Sequence, residues 1–415
     1  MPWFQIFQDG PEYEARKKRG TFSPPNLSIK QLHDAVPRRL HERSTAKSLA
    51  YLLRHLAITY LFFYLATLIN PITLSGTKSY PQLCLFFRQI VRPLLWLLYW
   101  GWQGVMFAGI WCLGHEAGHN ALSPYGPVNA LIGILVHTFV LTPYYSWRVT
   151  HHTHHKSTNN LDRDETYVPR TREDFRLPDG KVAVRMDYSD ILEETPSFTL
   201  FKMFVRQFLC RSLSIRHNRK GNPRYPPYTS HFRPSSNFHP KNRAYIIASN
   251  ISIIIMLLFL FYFGYRRGWS ALCAHYVLPW LVGSFTIVLF TYLQHSDPTV
   301  PYYRKDQWTF ARGALATVDR PLFGWVGRFF LHNISSDHVA HHFFPAIPFY
   351  NLPEVTEAIK PVLGDYYNYD STPALYALWR SFTQCTFVES EGDILFFRNQ
   401  YGEALIEPSH MEITT

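Results

Sequence analysis

Cysteine is scarce and scattered in this chain. Five cysteines occur among 415 residues, none of them in a CxxC pair or at a regular spacing: Cys84, Cys112, Cys210, Cys273 and Cys385. This distribution excludes a disulfide framework and a metal site built from thiolates. The sequence therefore predicts reduced or buried thiols.

Charged residues are also few, at 17% of the chain, although the net charge is +11. No basic repeat or aromatic-basic RNA motif accompanies this charge, which argues against nucleic acid as a partner. Anionic cytoplasmic lipid attracts the same positive charge. The first 40 residues lack the apolar core of a secretory signal, and the sequence has no KDEL-type motif. We therefore expect a later, retained segment to direct entry into the membrane.

Long apolar runs, in contrast, are plentiful, and aromatic residues make up 17% of the sequence. About 20 helical residues cross the hydrocarbon core of a bilayer. Four runs have about this length, at 56–72, 93–114, 244–265 and 276–293. A fifth run, 127–147, joins two histidine clusters that must meet, so we expect it to lie in the interface or to dip in and return.

Four crossings keep the polar stretches 148–243 and 294–415 on one side of the membrane. Basic residues before the first span and through 202–243 predict that this side is the cytoplasm, with Arg266–Arg267 in the opposite turn as a minor violation. The expected fold is an all-α integral-membrane protein with four transmembrane helices, an interfacial or re-entrant helix and a cytosolic helical cap. We expect a single domain over 1–415, with polar tails at 1–45 and 390–415.

The first histidine cluster is HEAGH, in which His115 and His119 stand four residues apart where the strongest apolar run ends. On a helix both imidazoles project from one face. Alone, the motif is also the HExxH signature of zinc peptidases, with Glu116 as the base.

Two further clusters, HHTHH at 151–155 and HVAHH at 338–342, repeat an i, i+3, i+4 spacing. The spacing places His151, His154 and His155 on one helical face, whereas His152 points elsewhere. His338, His341 and His342 share a face in the same way. Eight imidazoles exceed the needs of one zinc ion, so two metals are implied, with Fe, Cu, Ni and Zn all compatible with nitrogen ligands.

The three clusters resemble the histidine boxes of the membrane fatty-acid desaturases, and the segments between them resemble the oleate Δ12 (ω-6) acyl-lipid branch, particularly its fungal members. Similar stretches are SWRVTHHTHHKSTNNLDRDETYVP (146–169), TYLQHSDP (291–298) and HNISSDHVAHHFFPAIPFYN (332–351). The resemblance implies two non-haem iron ions, O₂ as the oxidant, electrons from a separate cytochrome b5 and its reductase, and the endoplasmic reticulum membrane with both termini cytosolic. The chain lacks an HPGG haem motif, in line with a separate donor.

By the family pattern, the iron ligands are the eight box histidines and His295: His115, His119, His151, His154, His155, His295, His338, His341 and His342. Two positions depart from relatives, Ala117 in the first box and Ser336–Asp337 before the third. Four carboxylates are candidates to accept the second N–H of a ligand imidazole: Glu116, Asp162, Asp164 and Asp337. We expect His137 and His275 to be packed or interfacial, and His332 to be a supporting residue at most.

The resemblance implies that the chain introduces a cis double bond into a fatty-acyl phospholipid, converting oleoyl to linoleoyl, with acyl-CoA as the alternative carrier. A Δ15 (ω-3) desaturase, a desaturase for a specialised acyl substrate, and a hydroxylase or acetylenase of the same fold are alternatives. A zinc peptidase would use HEAGH alone, and a membrane scaffold would need none of these histidines.

Overall fold

The computed structural model describes residues 6–74, 81–217, 222, 225–226, 229–233 and 240–409. The described α-helices, in chain order, are α1 (Pro11–Lys17), α2 (Ile29–Ala35), α3 (Thr45–Leu74), α4 (Pro81–Phe86), α5 (Arg92–Gly118), α6 (Gly126–Phe139), α7 (Tyr144–Ser157), α8 (Arg185–Leu192), α9 (Pro196–His217), α10 (Arg243–Arg267), α11 (Trp269–Leu272), α12 (Leu278–His295), α13 (Phe310–Leu315), α14 (Trp325–Phe330), α15 (His338–Phe343), α16 (Leu352–Leu363) and α17 (Ala374–Gln384). The described strands have two residues each and are β1 (Thr21–Phe22), β2 (Tyr302–Tyr303), β3 (Ile394–Leu395) and β4 (Glu407–Pro408).

Four helical stretches are long and apolar enough to cross a membrane, as the sequence predicted. They are Thr45–Leu74, Gln82–Gly118, Pro240–Arg267 and Trp269–His295. Each exceeds the roughly 20 residues that the hydrocarbon core requires. The extra turns carry the histidines at the ends of α5 and α12 beyond the apolar runs.

Successive spans along the chain run antiparallel, so α5 and α12 both end at the same end of the bundle, where the histidine clusters lie. At that end the Thr45 and Ser123 hydroxyls are 2.7 Å apart. At the opposite end the Trp100 indole N–H donates to the Ala274 carbonyl at 2.9 Å. Gly104 allows α5 and α12 to pack closely, because a Cβ there would overlap the side chain of Val282.

The fifth apolar run is divided between α6 and α7, which meet at a bend of 107°. The 14 residues of α6 extend about 21 Å, less than the roughly 30 Å core, so α6 alone does not cross it. At the start of α6, Asn129 donates to the Ser123 carbonyl at 2.8 Å, and α7 ends among the histidines. The beginning of α6 and the end of α7 therefore both lie at the histidine end of the bundle. The segment thus enters the apolar layer and returns to the same side.

The strands and the short helices α1, α2, α13, α15, α16 and α17 form a cap over that end. Both segments expected to be polar tails pack on the cap where they are described, and β1 pairs with β4 in parallel. Tyr13 and Leu32 are buried. Of the cysteines whose side chains are described, all four are free thiols.

Five buried charges connect the N-terminal segment, the end of α12 and α17. Arg320 contacts Asp370 at 2.6 Å and Asp297 at 3.0 Å, while Arg16 lies 3.4 Å from Asp297. Arg380 contacts Asp370 at 2.5 Å. Burial alone would raise the pKa of Asp370, but the guanidinium groups of Arg320, Arg380 and Arg16 hold it well below its usual value. These ion pairs therefore hold the segment that follows His295 against the N-terminal segment and α17.

We expect Asp370→Asn to destabilise the fold by about 3–5 kcal/mol, because it leaves three buried guanidinium groups with Asp297 and with Asp9, which pairs with Arg380 alone. Thermal unfolding of the purified protein measures the effect. Glu354→Gln is the matched control, since it removes an exposed carboxylate that pairs with Arg39 and should shift the unfolding temperature little. Equal shifts in the two variants would contradict this account.

Candidate metal centre

Nine histidines converge where the ends of α5 and α12 meet α7 and α15. The first cluster ends α5, the second occupies α7, His295 ends α12, and the third forms most of α15. The i, i+3 and i+4 spacings place the side chains on one face of each helix, as predicted. The fold thus joins residues that are up to 227 positions apart, counting from His115 to His342.

Five of these histidines form one group whose ring nitrogens all lie within 4.8 Å of one another: His115, His119, His151, His155 and His341. The Nε2 atoms of His151 and His155 are 3.1 Å apart. The ring centroids of His115 and His341 are separated by 4.6 Å. This group draws on all three clusters.

The second group contains His154, His295 and His342, again with nitrogens within 4.8 Å. His338 adjoins it, since its Nε2 lies 3.0 Å from His295 Nε2 and 3.1 Å from His342 Nε2. His155 and His342 stack at 4.1 Å between ring centroids and connect the two groups. Five imidazoles therefore surround one position, and four imidazoles surround the position next to it.

The contacts between these rings fit bound cations better than hydrogen bonds. A nitrogen of a neutral imidazole carries either one hydrogen or one lone pair, so His338 Nε2 cannot satisfy two facing nitrogens equally. Two nitrogens bound at right angles, each about 2.1 Å from one metal, lie about 3.0 Å apart. Both ring nitrogens of His341 and the Nε2 of His119 are buried without a hydrogen-bond partner. The residues present therefore fit a pair of metal ions.

The imidazoles are held in the neutral form that binds metal. Burial lowers the pKa of His338 and of His342 well below the usual value, and neighbouring imidazoles lower both further. Burial, assisted by His154, lowers the pKa of His341 to about 3. At neutral pH each of these three imidazoles is therefore uncharged, and it need not lose a proton before a ring nitrogen binds a metal ion.

Two of the four predicted carboxylates lie against the histidines. Asp164 Oδ1 is 2.7 Å from His154 Nδ1, and Glu116 Oε1 is 3.2 Å from His115 Nδ1. The remaining oxygens accept backbone N–H groups, from Asn159 to Asp164 at 2.8 Å and from Phe349 to Glu116 at 3.2 Å. These bonds orient both rings with Nε2 directed at the site.

The other two carboxylates lie in different surroundings. Asp337 accepts from Arg328 at 3.0 Å and from the Thr356 hydroxyl at 2.8 Å. Asp162 is half-exposed and lies 3.7 Å from Arg304. The sequence reasoning missed Thr158, whose hydroxyl is 3.1 Å from His342 Nδ1. A hydroxyl three residues after a histidine box is too common a pattern to be selected from sequence.

Four other histidines near the boxes or the apolar segments have different contacts. His152 Nε2 faces the Gly118 carbonyl at 2.9 Å, and His137 Nε2 faces the Trp111 carbonyl at 3.1 Å. His275 packs on aromatic rings at the opposite end of the bundle. His332 Nε2 is 3.2 Å from His55 Nδ1, a pairing that the sequence did not predict.

A cavity of about 140 Å³ adjoins both histidine groups. Its walls include His115 and His151 of the first group, and His154, His295 and His338 of the second group and its neighbour. The apolar and aromatic lining comes from α5, α7, α9, α12 and two connecting segments: Trp111, Trp147, Tyr167, Ile215, Ile287, Val288 and Ile334. Glu165 and Arg211 add charged groups to the wall. An apolar group in this cavity would lie directly against the nitrogen ligands.

Comparison with known proteins gives a consistent result. The profile of the fatty acid desaturase family matches residues 93–373. An oleate hydroxylase of Claviceps purpurea is 36% identical over 406 residues, which cover 91% of this chain and 82% of that protein. A Δ(12) fatty acid desaturase of Mortierella isabellina is 36% identical over 90% of this chain and 91% of its own. A Brassica juncea protein named "Omega-6 fatty acid desaturase, endoplasmic reticulum" is 35% identical, over 90% of this chain and 91% of its own.

Proposed function

This chain belongs to the fatty acid desaturase family, and we propose that it is the member that introduces the Δ12 double bond into a lipid-linked oleoyl chain. The observation that carries the proposal is the pair of histidine groups beside a cavity that has tryptophan and isoleucine side chains in its wall. Relatives named as Δ(12) or omega-6 desaturases over nine-tenths of the chain support the position of the new bond.

Two iron ions are the proposed metals. Nine histidines would hold them, namely the eight of the two groups together with His338. Bound iron would supply the activation of O₂ that removes two hydrogens from neighbouring, unactivated methylenes. The protein chain itself would position the acyl chain. Trp111, Trp147 and Ile287 border the cavity, and such walls would hold one methylene near the ligands and keep water out.

The proposed orientation of the protein in the membrane follows from the location of all the box histidines at one end of the bundle. That end faces the cytosol of the endoplasmic reticulum in our proposal, because basic residues flank the spans there. Electrons would come from cytochrome b5 and its reductase as separate proteins. The substrate would arrive on a membrane phospholipid.

Hydroxylation of oleate at the same position is the second candidate. The Claviceps purpurea relative carries the name oleate hydroxylase and matches this chain as well as the desaturases do. Both reactions begin by removing hydrogen from the same methylene, so one ligand set serves either outcome.

Expression in a yeast that makes only monounsaturated lipids tests the proposal. We expect linoleate to appear in its phospholipids, identified by gas chromatography and mass spectrometry. Hydroxylated oleate in place of linoleate would establish the second candidate, and a Δ15 product would overturn the Δ12 assignment. Unchanged lipids in cells with well-expressed, iron-loaded protein would contradict both candidates.

A further inference from the structure

A second cleft, which shares no lining residue with the cavity beside the histidines, lies between the beginning of α3 and α14. Its volume is about 350 Å³, and its walls include Tyr51, Arg54, Trp325, Arg328 and Tyr350. Neither the family match nor the metal centre accounts for this combination of two arginines and three aromatic rings.

The cleft lies beside a membrane span, although α14 belongs to the polar second lobe. The Phe330 ring packs on Trp102 of α5 at 5.8 Å between centroids. Gly109 of α5 leaves room for the Phe330 carbonyl, which a Cβ would meet. Trp325 is 71% exposed, in the position of an aromatic residue that anchors at a bilayer interface.

Arg54 brings a positive charge into the cleft without a carboxylate to balance it. Its described contacts are the Phe329 carbonyl at 3.0 Å and the rings of Phe329 and Tyr51, at 3.9 and 4.9 Å. Its Nε atom is buried and has no hydrogen-bond partner. Because no carboxylate among its described contacts neutralises it, this guanidinium group is suited to a charge-assisted contact with a phosphate.

The neighbouring charges leave the cleft positive. Arg328 is paired with Asp337 at 3.0 Å but remains half-exposed. Lys47 lies 4.0 Å above the Tyr350 ring. Three cations and one carboxylate leave an excess of two positive charges. This excess favours an anionic headgroup over a zwitterionic one, whose ammonium group it would repel.

We propose that this cleft binds the phosphate of an anionic membrane phospholipid, with the acyl chains lying on the exposed leucines of α3. Leu61 and Leu65 are exposed further along the span, at i+7 and i+11 from Arg54 and therefore on the same face of α3. The site is distinct from the proposed acyl cavity, so its occupancy does not depend on the desaturase assignment.

Native mass spectrometry of the full-length protein, titrated with dioleoyl phosphatidic acid or dioleoyl phosphatidylcholine, tests the proposal. We expect tighter binding of phosphatidic acid, and an affinity about tenfold lower in Arg54→Gln because a charge-assisted contact is lost. Arg266→Gln, which removes an exposed arginine at the opposite end of the bundle, should leave the preference intact.

Trp325→Ala provides a second variant that does not disturb the core, since this ring is largely exposed, and it should also weaken phosphatidic acid binding. Equal affinity for the two lipids, or an unchanged preference in Arg54→Gln, would overturn the proposal. Inorganic phosphate that competes as well as the lipid would assign the cleft to a soluble anion and overturn the lipid assignment.

Discussion

His341→Ala should abolish the formation of linoleate in the yeast assay, with a loss of more than about a hundredfold, the scale expected when a directly acting group is removed. His341 belongs to the five-histidine group, and both of its ring nitrogens are buried without a hydrogen-bond partner. Truncation would remove one of the proposed iron ligands from this group. Product is measured by gas chromatography against the amount of protein in the membrane.

His152→Gln is the matched control for His341→Ala. It changes a histidine of a box, but His152 faces the Gly118 carbonyl, a contact that a glutamine amide can also make. We expect most of the activity to remain. An active His341→Ala enzyme, or equal losses in the two variants, would show that the ligand assignment is wrong.

Asp164→Asn should lower activity or iron affinity by about 10–100-fold, the usual cost of losing a carboxylate that orients a metal-bound histidine. Asp164 faces His154 Nδ1 through one oxygen and accepts the Asn159 N–H through the other. An amide has one oxygen, so its NH₂ group must face a donor at one of these contacts. Iron titration of the purified variant and its linoleate yield give the two quantities.

Asp162→Asn is the control for the charge change, because Asp162 belongs to the same loop but is half-exposed beside Arg304. Its effect should be small. If both variants lose the same activity, the loop and not the contact with His154 is responsible.

The four membrane-spanning helices could be predicted because the signal for each is local. Apolar runs of sufficient length identified the four spans. The need to bring two histidine clusters together predicted that the fifth run lies in the interface or dips in and returns, and the bend between α6 and α7 agrees with the second of these. The spacing within each box correctly indicated which imidazoles share a helical face, including the separate direction of His152.

The grouping of the histidines could not be predicted, because it depends on how separate helices pack. His154 and His155 are adjacent in sequence but belong to different groups. Likewise, four carboxylates near the boxes were equal candidates, and packing alone brought Asp164 and Glu116 against a histidine. The insertion of α14 beside α5 was also hidden, since its six residues give no transmembrane signal.

The iron content of the purified, active protein tests the central claim most directly. With five histidines in one group and four around the other position, the account predicts two iron ions per chain, measured by elemental analysis against protein concentration. Mössbauer spectra should show a coupled pair with nitrogen-rich coordination. Active protein that contains no iron, or a single ion, would contradict the account.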